Sequence, residues 1–497
     1  MKVLLVNTAS LHVKHKAAIP LGLLSIATYL SQRSYEVQVY DRAVRSRNLK
    51  NYLADFCPDI VGLSVPSFKN FPDAIEISKV FRQRNIPVIW GGPISSLLPE
   101  TVMKSGVVDY VVMGEGEITL HELLMALESN KPLNEVDGLV YRVGDQVIKN
   151  KDRDFADLTD LPIIDFSFVQ PEKYFVESVA CEKMLHVYAS KGCVCQCTYC
   201  YNPAFSKCVW RPRPHEYFLS EIKYLIENCG MDGVYFADDL LCPNKDYLES
   251  FCRSIADSGL KLVWGCEMRA DMCTREGLQL MYDSGCRWVY FGIESGSHER
   301  QSKIKKKLNL DKAVQTLRHC KEIGIATTTS FIINYPNQTK DELKETVQYI
   351  RMLAGDIIIP SFYGPIPQSE IYHDLVHSHM LKEPETCEEW VNIQMMDIFG
   401  TNYSEIPDID LKVVSAFFYL KNFLWKDPTR KSGARVYVKK AVKQVLTFIR
   451  KGNVKTIPLI LRAAKEFFDV VFYALMFPKV REEYNLRFKE NVRAKNQ

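Results

Sequence analysis

The sequence predicts an α/β protein of three parts: a doubly wound parallel sheet, a parallel barrel of six βα units, and a helical C-terminal module. Three observations predict it. Strand-like and helix-like patterns alternate over the first 130 residues, a second alternation starts at LHVYAS just ahead of a cysteine-rich loop, and the charge balance reverses after Leu411.

KVLLVN, EVQVYD, IVGLSV, PVIWGG and YVVMGEGE read as short buried strands, and between them LGLLSIATYL, NLKNYLADF, DAIEISKVFRQR and ITLHELLMAL carry apolar residues at helical spacing. A sheet wound this way binds ligands at the carboxyl ends of its strands. GLVYRVGDQVIKNK reads as a hairpin and DFADLTDLPIID as a linker. The second alternation continues through VYFADD, LVWGCEMRAD, WVYFGIES and TSFIINYP, with helices around Glu221, Leu248, Leu278, Val314 and Leu343 and a last strand at IIIPSFYG. In a partial or complete barrel, chemistry sits at the strands' carboxyl ends. The expected divisions are residues 1–145, a linker at 146–180, the barrel at 181–400 and the basic helical module at 401–497.

A chain of 497 residues exceeds one ordinary core, and 47% hydrophobic with 25% charged residues describes a soluble globular protein. MKVLLVNTAS resembles a first strand more than a signal peptide, and no run of eighteen apolar residues occurs, so no membrane span is expected. Of fifteen cysteines, twelve fall between Cys181 and Cys286, which fits a reducing cytoplasm and one thiolate-rich site. Residues 411–497 hold 20 Lys+Arg against 6 Asp+Glu, a balance of +14 within a net charge of +3. That segment is a basic module.

The stretch KGCVCQCTYCYNP, Lys191 to Pro203, places four cysteines within eight residues. Disulfides between such near neighbours strain the bridge, so metal is the better reading. Cys193, Cys197 and Cys200 make C-x-x-x-C-x-x-C. Three thiolates can hold three irons of a 4Fe-4S cluster and leave the fourth open. A structural zinc site remains an alternative, with Cys195 as its fourth ligand.

The pattern KGC-x-x-x-C-x-x-CYNP after a strand, with aromatic Tyr199 beside the last cysteine, closely resembles the radical S-adenosylmethionine (SAM) family, which uses such a cluster to cleave SAM to a 5′-deoxyadenosyl radical. The resemblance implies that Cys193, Cys197 and Cys200 are the catalytic iron ligands, that Tyr199 lies at the cofactor, and that Cys195 is a bystander. It also implies SAM or substrate contacts from Asp238 and Asp239 in YFADDLL, Arg269 in EMRAD, and Glu294 and Ser295 in FGIESGS, together with an electron donor such as ferredoxin or flavodoxin. Taken singly, each of these side chains also reads as a solvated carboxylate or a salt-bridge partner. Two segments depart from the family. NYPNQT, with Asn334, Asn337 and Gln338, stands where GLPGET is frequent, and Pro365-Ile366-Pro367-Gln368-Ser369 replaces P-x-P-G-T. Loss of permissive glycines bears on the substrate pocket more than on the cluster.

The N-terminal part resembles the cobalamin-binding domain that precedes the barrel in one radical-SAM subgroup, through IPLGLLSIATYL, PDIVGLSVPS, WGGP and MGEGE. Gly91 and Gly92 at a strand end allow close backbone approach to a bulky ligand, Ser64 offers a hydroxyl on the same edge, and Glu115 joins them as a cofactor contact. No D-x-H-x-x-G occurs, and His12 and His15 read as surface residues. The resemblance therefore implies cobalamin whose cobalt takes no protein histidine. A methylthiotransferase architecture needs three cysteines in this domain for a second cluster, and it has only Cys57.

In LILRAAKEFFDVVFYAL the polar residues Arg462, Lys465, Glu466, Asp469 and Tyr473 form one stripe on an otherwise apolar helix. With the basic stretch before it, this suits a membrane-surface helix, peripheral at the inner face, or a helical cap on the barrel; nucleic acid is not expected. The function expected is cobalamin-dependent methylation of an unactivated carbon in an apolar small molecule or lipid. A radical cyclase or rearrangement enzyme, and a non-catalytic cobalamin or iron-sulfur sensor, are the alternatives.

Overall fold

β1 (Lys2–Asn7) buries Val3 to Val6, and continuous apolar runs of this kind form the middle of a sheet covered on both faces. In a computed structural model, which describes residues 1–10, 18–44, 49–393 and 401–424, β1 pairs in parallel with β2 (Glu36–Asp41) and β3 (Ile60–Ser64). β4 (Val88–Gly91) and β5 (Tyr110–Val112) extend the parallel order, and β6 (Leu139–Val143) and β7 (Gln146–Lys149) add the expected hairpin antiparallel to β5. The order is β2-β1-β3-β4-β5-β6-β7. The winding direction reverses between β1 and β3, which opens a crevice at their carboxyl ends. α1 (Leu21–Ser31), α2 (Leu49–Asp55), α3 (Phe71–Arg82) and α6 (Gly116–Ser129) fall where helical spacing predicts them. The sequence reading missed α4 (Pro93–Leu97) and α5 (Pro99–Lys104), each opened by a proline whose fixed φ suits a first helical position but too short to show periodicity. Since the sheet runs to Lys149, the division expected at 145 falls inside the hairpin. His12, His15 and the stripe from Arg462 to Tyr473 lie outside the described residues.

The chain forms two compact units, and the first runs from Met1 to Trp264 with Pro365–Ile393. Beyond the sheet, this unit holds β8 (Met184–Val187), the antiparallel two-residue pair β9 (Ser190–Lys191) and β10 (Arg211–Pro212), α7 (Asn202–Phe205), α8 (His215–Cys229), β11 (Gly233–Phe236) and α9 (Lys245–Asp257). β8 and β11 are parallel. Arg213 and Glu221 form a fully buried ion pair at 2.5 Å. The arginine also donates to the Tyr188 carbonyl at 2.9 Å, and Glu221 accepts from the Ile164 amide at 2.7 Å. One pair thus fastens both the linker and the approach to the cysteine loop, and removing one partner of such a pair typically costs about 3–5 kcal/mol.

β12 (Val263–Met268) crosses into the second unit, where β13 (Cys286–Glu294), β14 (Ala326–Ile333) and β15 (Ile357–Phe362) pair in parallel. α10 (Arg275–Asp283), α11 (His298–Lys303), α12 (Leu310–Ile323) and α13 (Lys340–Met352) connect them. α13 opens with a capping box between Thr339 and Glu342. The remaining helices of the first unit are α14 (Glu370–His377) and α15 (Cys387–Asn392).

The two departures from the family pattern have structural reasons. Asn334, Asn337 and Gln368 take left-handed backbone at φ 68, 55 and 62. Asparagine tolerates that region, so the β14 loop keeps its turns without glycine. The Asn334 side chain also donates to the Thr401 carbonyl at 2.9 Å and accepts from the Tyr403 amide at 3.0 Å. Gln338 accepts from the Asn334 amide at 2.8 Å, and its carbonyl receives the Glu405 amide at 3.1 Å. α16 (Asp408–Leu424) follows and packs on β15, with Asp410 buried against Lys340 at 2.8 Å. Residues 401–424 are therefore part of the second unit and not the start of a separate module at 401. Among the described residues, no helix is long and apolar enough to cross a membrane.

Candidate active site

A cavity of about 420 Å³ opens in the first unit at the carboxyl ends of β1, β3, β4 and β5. It brings together six of the expected residues: Ser64, Gly91, Gly92, Glu115, Asp238 and Asp239. Its sheet-side walls are apolar, from Leu5, Ile26, Ile89, Val112 and Leu120. Gly92 has φ +95 and a Cβ there would stand 3.2 Å from the Val65 carbonyl oxygen, so this edge requires glycine. Ser96 ties the rim together by donating to the Gly92 carbonyl at 2.9 Å and accepting from the Gly114 amide at 2.8 Å.

Three ion pairs line this cavity that the sequence reading did not assign. Lys191 lies 3.2 Å from Glu117 and 3.7 Å from Glu115, and Arg211 pairs with Glu115. Glu117 also accepts from the Ser25 hydroxyl at 2.6 Å. Burial acts to raise the Glu117 pKa, but Lys191 and Ser25 outweigh it and hold the carboxyl below the ordinary range. Its place in the first turn of α6 favours the same ionised form. Burial likewise works against the Lys191 ammonium, and Glu117 more than offsets it. Glu117 ends the MGEGE segment and Lys191 opens KGC; Arg211 carried no local signal.

The cysteine loop begins on the same cavity wall, at Ser190, Lys191 and Gly192. Asp238 fastens that start: its carboxylate accepts from the Ala189 amide at 3.0 Å, the Ser190 hydroxyl at 2.6 Å and the Ser190 amide. Burial lifts its pKa to about 7 against the lowering pull of these bonds. Asp239 accepts from the Tyr201 hydroxyl at 3.1 Å, whereas Tyr199 is half-buried and does not line the cavity. Cys197 is buried and Cys193, Cys195 and Cys200 are partly so. The Asn202 amide points to the Cys200 sulfur at 3.4 Å, the kind of bond that stabilises a ligating thiolate. Hydrogen bonding to Cys195, then burial, raises the Cys193 pKa. Among the described residues no three Cys, His, Asp or Glu side chains already stand in ligating geometry. The fit of the loop rests on its donor set, three thiols on one turn with an amide at the last sulfur, and a bound metal would deprotonate them.

Arg269, Glu294 and Ser295 lie in the second unit. Arg269 makes a bidentate pair with Asp271 at 2.9 and 3.1 Å. Glu294 is left-handed at φ 68 and buried; it faces Lys306 at 3.4 Å and Ser330 at 3.3 Å. Burial raises its pKa while Lys306 opposes the rise. A bulky residue held in that region at a strand's carboxyl end marks a functional position in other proteins. Ser295 bonds to Thr346 at 3.2 Å and to the Ser297 amide at 3.2 Å, and so builds the turn that follows.

Comparison with known proteins agrees with this arrangement. Residues 12–124 match the B12 binding domain and residues 187–350 match the radical SAM superfamily. The chain is a radical SAM enzyme with a B12-binding domain. This radical SAM enzyme is 25% identical over 457 residues to an uncharacterized methyltransferase of Pyrococcus horikoshii, covering 90% of this chain and 98% of that protein. It is 22% identical over 494 residues to the anaerobic magnesium-protoporphyrin IX monomethyl ester cyclase of Rubrivivax gelatinosus, covering 95% and 84%. Among solved structures it resembles TsrM, a radical SAM methyltransferase from Kitasatospora setae with cobalamin and a 4Fe-4S cluster bound. That likeness has a TM-score of 0.64 at 20% identity over 76% of this chain and 75% of TsrM, and it shows the fold.

Proposed function

We propose that this radical SAM enzyme methylates an unactivated carbon of an apolar substrate, with a 4Fe-4S cluster on Cys193, Cys197 and Cys200, SAM and cobalamin as cofactors. The observation that carries this reading is one cavity of the first unit, which joins the glycine edge of the B12-binding domain to the start of the cysteine loop. When bound, cluster and SAM would supply hydrogen abstraction and cobalamin a methyl group; the two must meet at one carbon, and a cavity that reaches from the glycine edge to Gly192, beside Cys193, supports that reading. Gly91 and Gly92 admit a bulky ligand to the sheet edge, Asp238 and Gly192 hold the cysteine loop against the cavity, and the apolar walls exclude water. The Pyrococcus relative supports methyl transfer, while the Rubrivivax relative keeps cyclisation as the second outcome of the same radical chemistry.

The test uses anaerobically reconstituted full-length protein with SAM and a chemical reductant. 5′-Deoxyadenosine should form, and added cobalamin should bind with no lower-ligand nitrogen splitting in the electron paramagnetic resonance of its Co(II) form. Cluster and corrinoid bound without 5′-deoxyadenosine would return the chain to the sensor reading. No corrinoid bound at all would remove the methyl-transfer reading.

A lipid substrate rests on the +14 balance after residue 411, since each Lys or Arg near an anionic surface contributes roughly 1 kcal/mol. Because residues 401–424 pack into the second unit, the informative truncation ends after Leu424. The full chain should sediment with anionic liposomes at low salt and be released by high salt, whereas the truncation should stay in the supernatant. Equal supernatant recovery of both would remove the lipid.

A further inference from the structure

We propose that Lys191, Glu117 and Ser25 are positioning residues that couple the two cofactor sites of the first unit, so that a filled cysteine loop and a bound cobalamin each tighten the other. The inference rests on the cofactor assignment above and goes further, to the side chains that link the sites. Lys191 lies two positions before Cys193 and at the end of β9. Its ammonium reaches across the cavity to Glu117 at 3.2 Å and Glu115 at 3.7 Å, on the MGEGE turn of the B12-binding domain. Glu117 spends the same carboxylate oxygen on Lys191 and on the Ser25 hydroxyl, at 2.6 Å, which extends the link into α1. Arg211, on the strand paired with β9, repeats the connection through Glu115 and donates to the Ala156 carbonyl at 2.6 Å. Lys191, Glu115, Glu117 and Arg211 all line the cavity.

A loop of free thiols has many conformations, and three metal–sulfur bonds leave it few. Fixing Cys193 fixes Lys191, and Lys191 then holds the Glu115–Glu117 turn, which is the wall facing Gly91 and Gly92. A wall already in place costs a ligand less ordering entropy on binding. Linkage makes the effect reciprocal, so cobalamin should favour the cluster by the same factor. The side chains are partly or wholly withdrawn from water, at 22% exposure for Lys191 and 5% for Glu117, so the link is screened little by salt.

The experiment measures the cobalamin dissociation constant of full-length protein with hydroxocobalamin, in the apo and the cluster-loaded forms. Wild type should bind about tenfold more tightly when loaded, within the usual range of coupling. The double variant Glu117→Gln/Lys191→Met, which leaves no uncompensated buried charge, should show a ratio within about twofold of unity while still binding each cofactor alone. Lys191→Arg should keep the wild-type ratio. A residue pair that merely supported the fold would weaken both constants and leave their ratio unchanged. A wild-type ratio near one, or a full ratio in the double variant, overturns the proposal. If the double variant does not fold, Ser25→Ala must lower the ratio, and an unchanged ratio there overturns it. Absence of cobalamin binding in wild type would instead sink the cofactor assignment.

Discussion

Alanine at Cys193, Cys197 or Cys200 is expected to reduce 5′-deoxyadenosine formation by roughly a thousandfold or more, because each change removes the route of the electron to SAM and not one contact among many. Cys195→Ala is expected to keep iron content and activity within about threefold of wild type. The difference follows from position. Cys195 interrupts the C-x-x-x-C-x-x-C spacing, and its carbonyl is engaged by the Cys208 thiol at 3.6 Å, on the side of the loop that returns toward β10. Iron and acid-labile sulfide per chain, with the low-temperature electron paramagnetic resonance of the reduced cluster, would be measured beside product. Should Cys195→Ala abolish the cluster while Cys193→Ala retains it, the ligand assignment is wrong and Cys195 stands in the place given to Cys193; loss of metal in all four alanine variants would return the zinc-like use of all four thiols.

Gly192→Ala should be the most damaging single methyl that can be added near the site. Gly192 has φ +83, and an added Cβ would collide with the backbone carbonyl of Val209, which cannot swing aside as a side-chain tip can. The left-handed conformation alone costs an alanine about 1–2 kcal/mol. The collision forces β9 and β10 apart and brings the expected loss above about 3 kcal/mol, beyond the range of ordinary substitutions. Gly230 supplies the control, since its φ is +70 but its Cβ would meet nothing nearer than the Lys183 ammonium at 3.8 Å. Gly230→Ala should therefore lose only the conformational part. Thermal melts of both apoproteins check this, along with iron retained after reconstitution. Equal melting shifts in the two variants would show that the Val209 contact carries no weight.

Much of this molecule was legible in its sequence because the signals were local. Each strand of the first sheet is a short apolar run, and each expected helix shows its spacing within a dozen residues. The doubly wound order then dictates that Ser64, Gly91 and Gly92 share one edge. Asp238 and Asp239 reached the same cavity because they follow β11, which pairs with β8 just ahead of the cysteine loop. Arg211 could not be read, since what gives it meaning is Glu115, 96 positions earlier. Pairing at that distance is a product of the fold and leaves no period in the chain. The place of Asp238 at the end of a strand was legible but not its bonding, which serves the Ala189 and Ser190 amides. The asparagines of NYPNQT showed only what was missing, and their partners at Thr401 and Tyr403 became visible with the packing.

Those asparagines also bear on how this enzyme can be engineered. A consensus strategy would restore glycine at 334 and 337 on the ground that relatives carry it, and such changes usually stabilise a protein. Here the loop also holds the segment around Thr401 and Tyr403, which a frequent family pattern does not take into account. Glycine at 334 would keep the left-handed turn but delete the side chain that donates to the Thr401 carbonyl and accepts from the Tyr403 amide, releasing the segment that leads into α16. Sequence averaging would thus write out a fastening that this chain's packing uses, and stabilising substitutions are better sought on the solvent faces of α9 and α12.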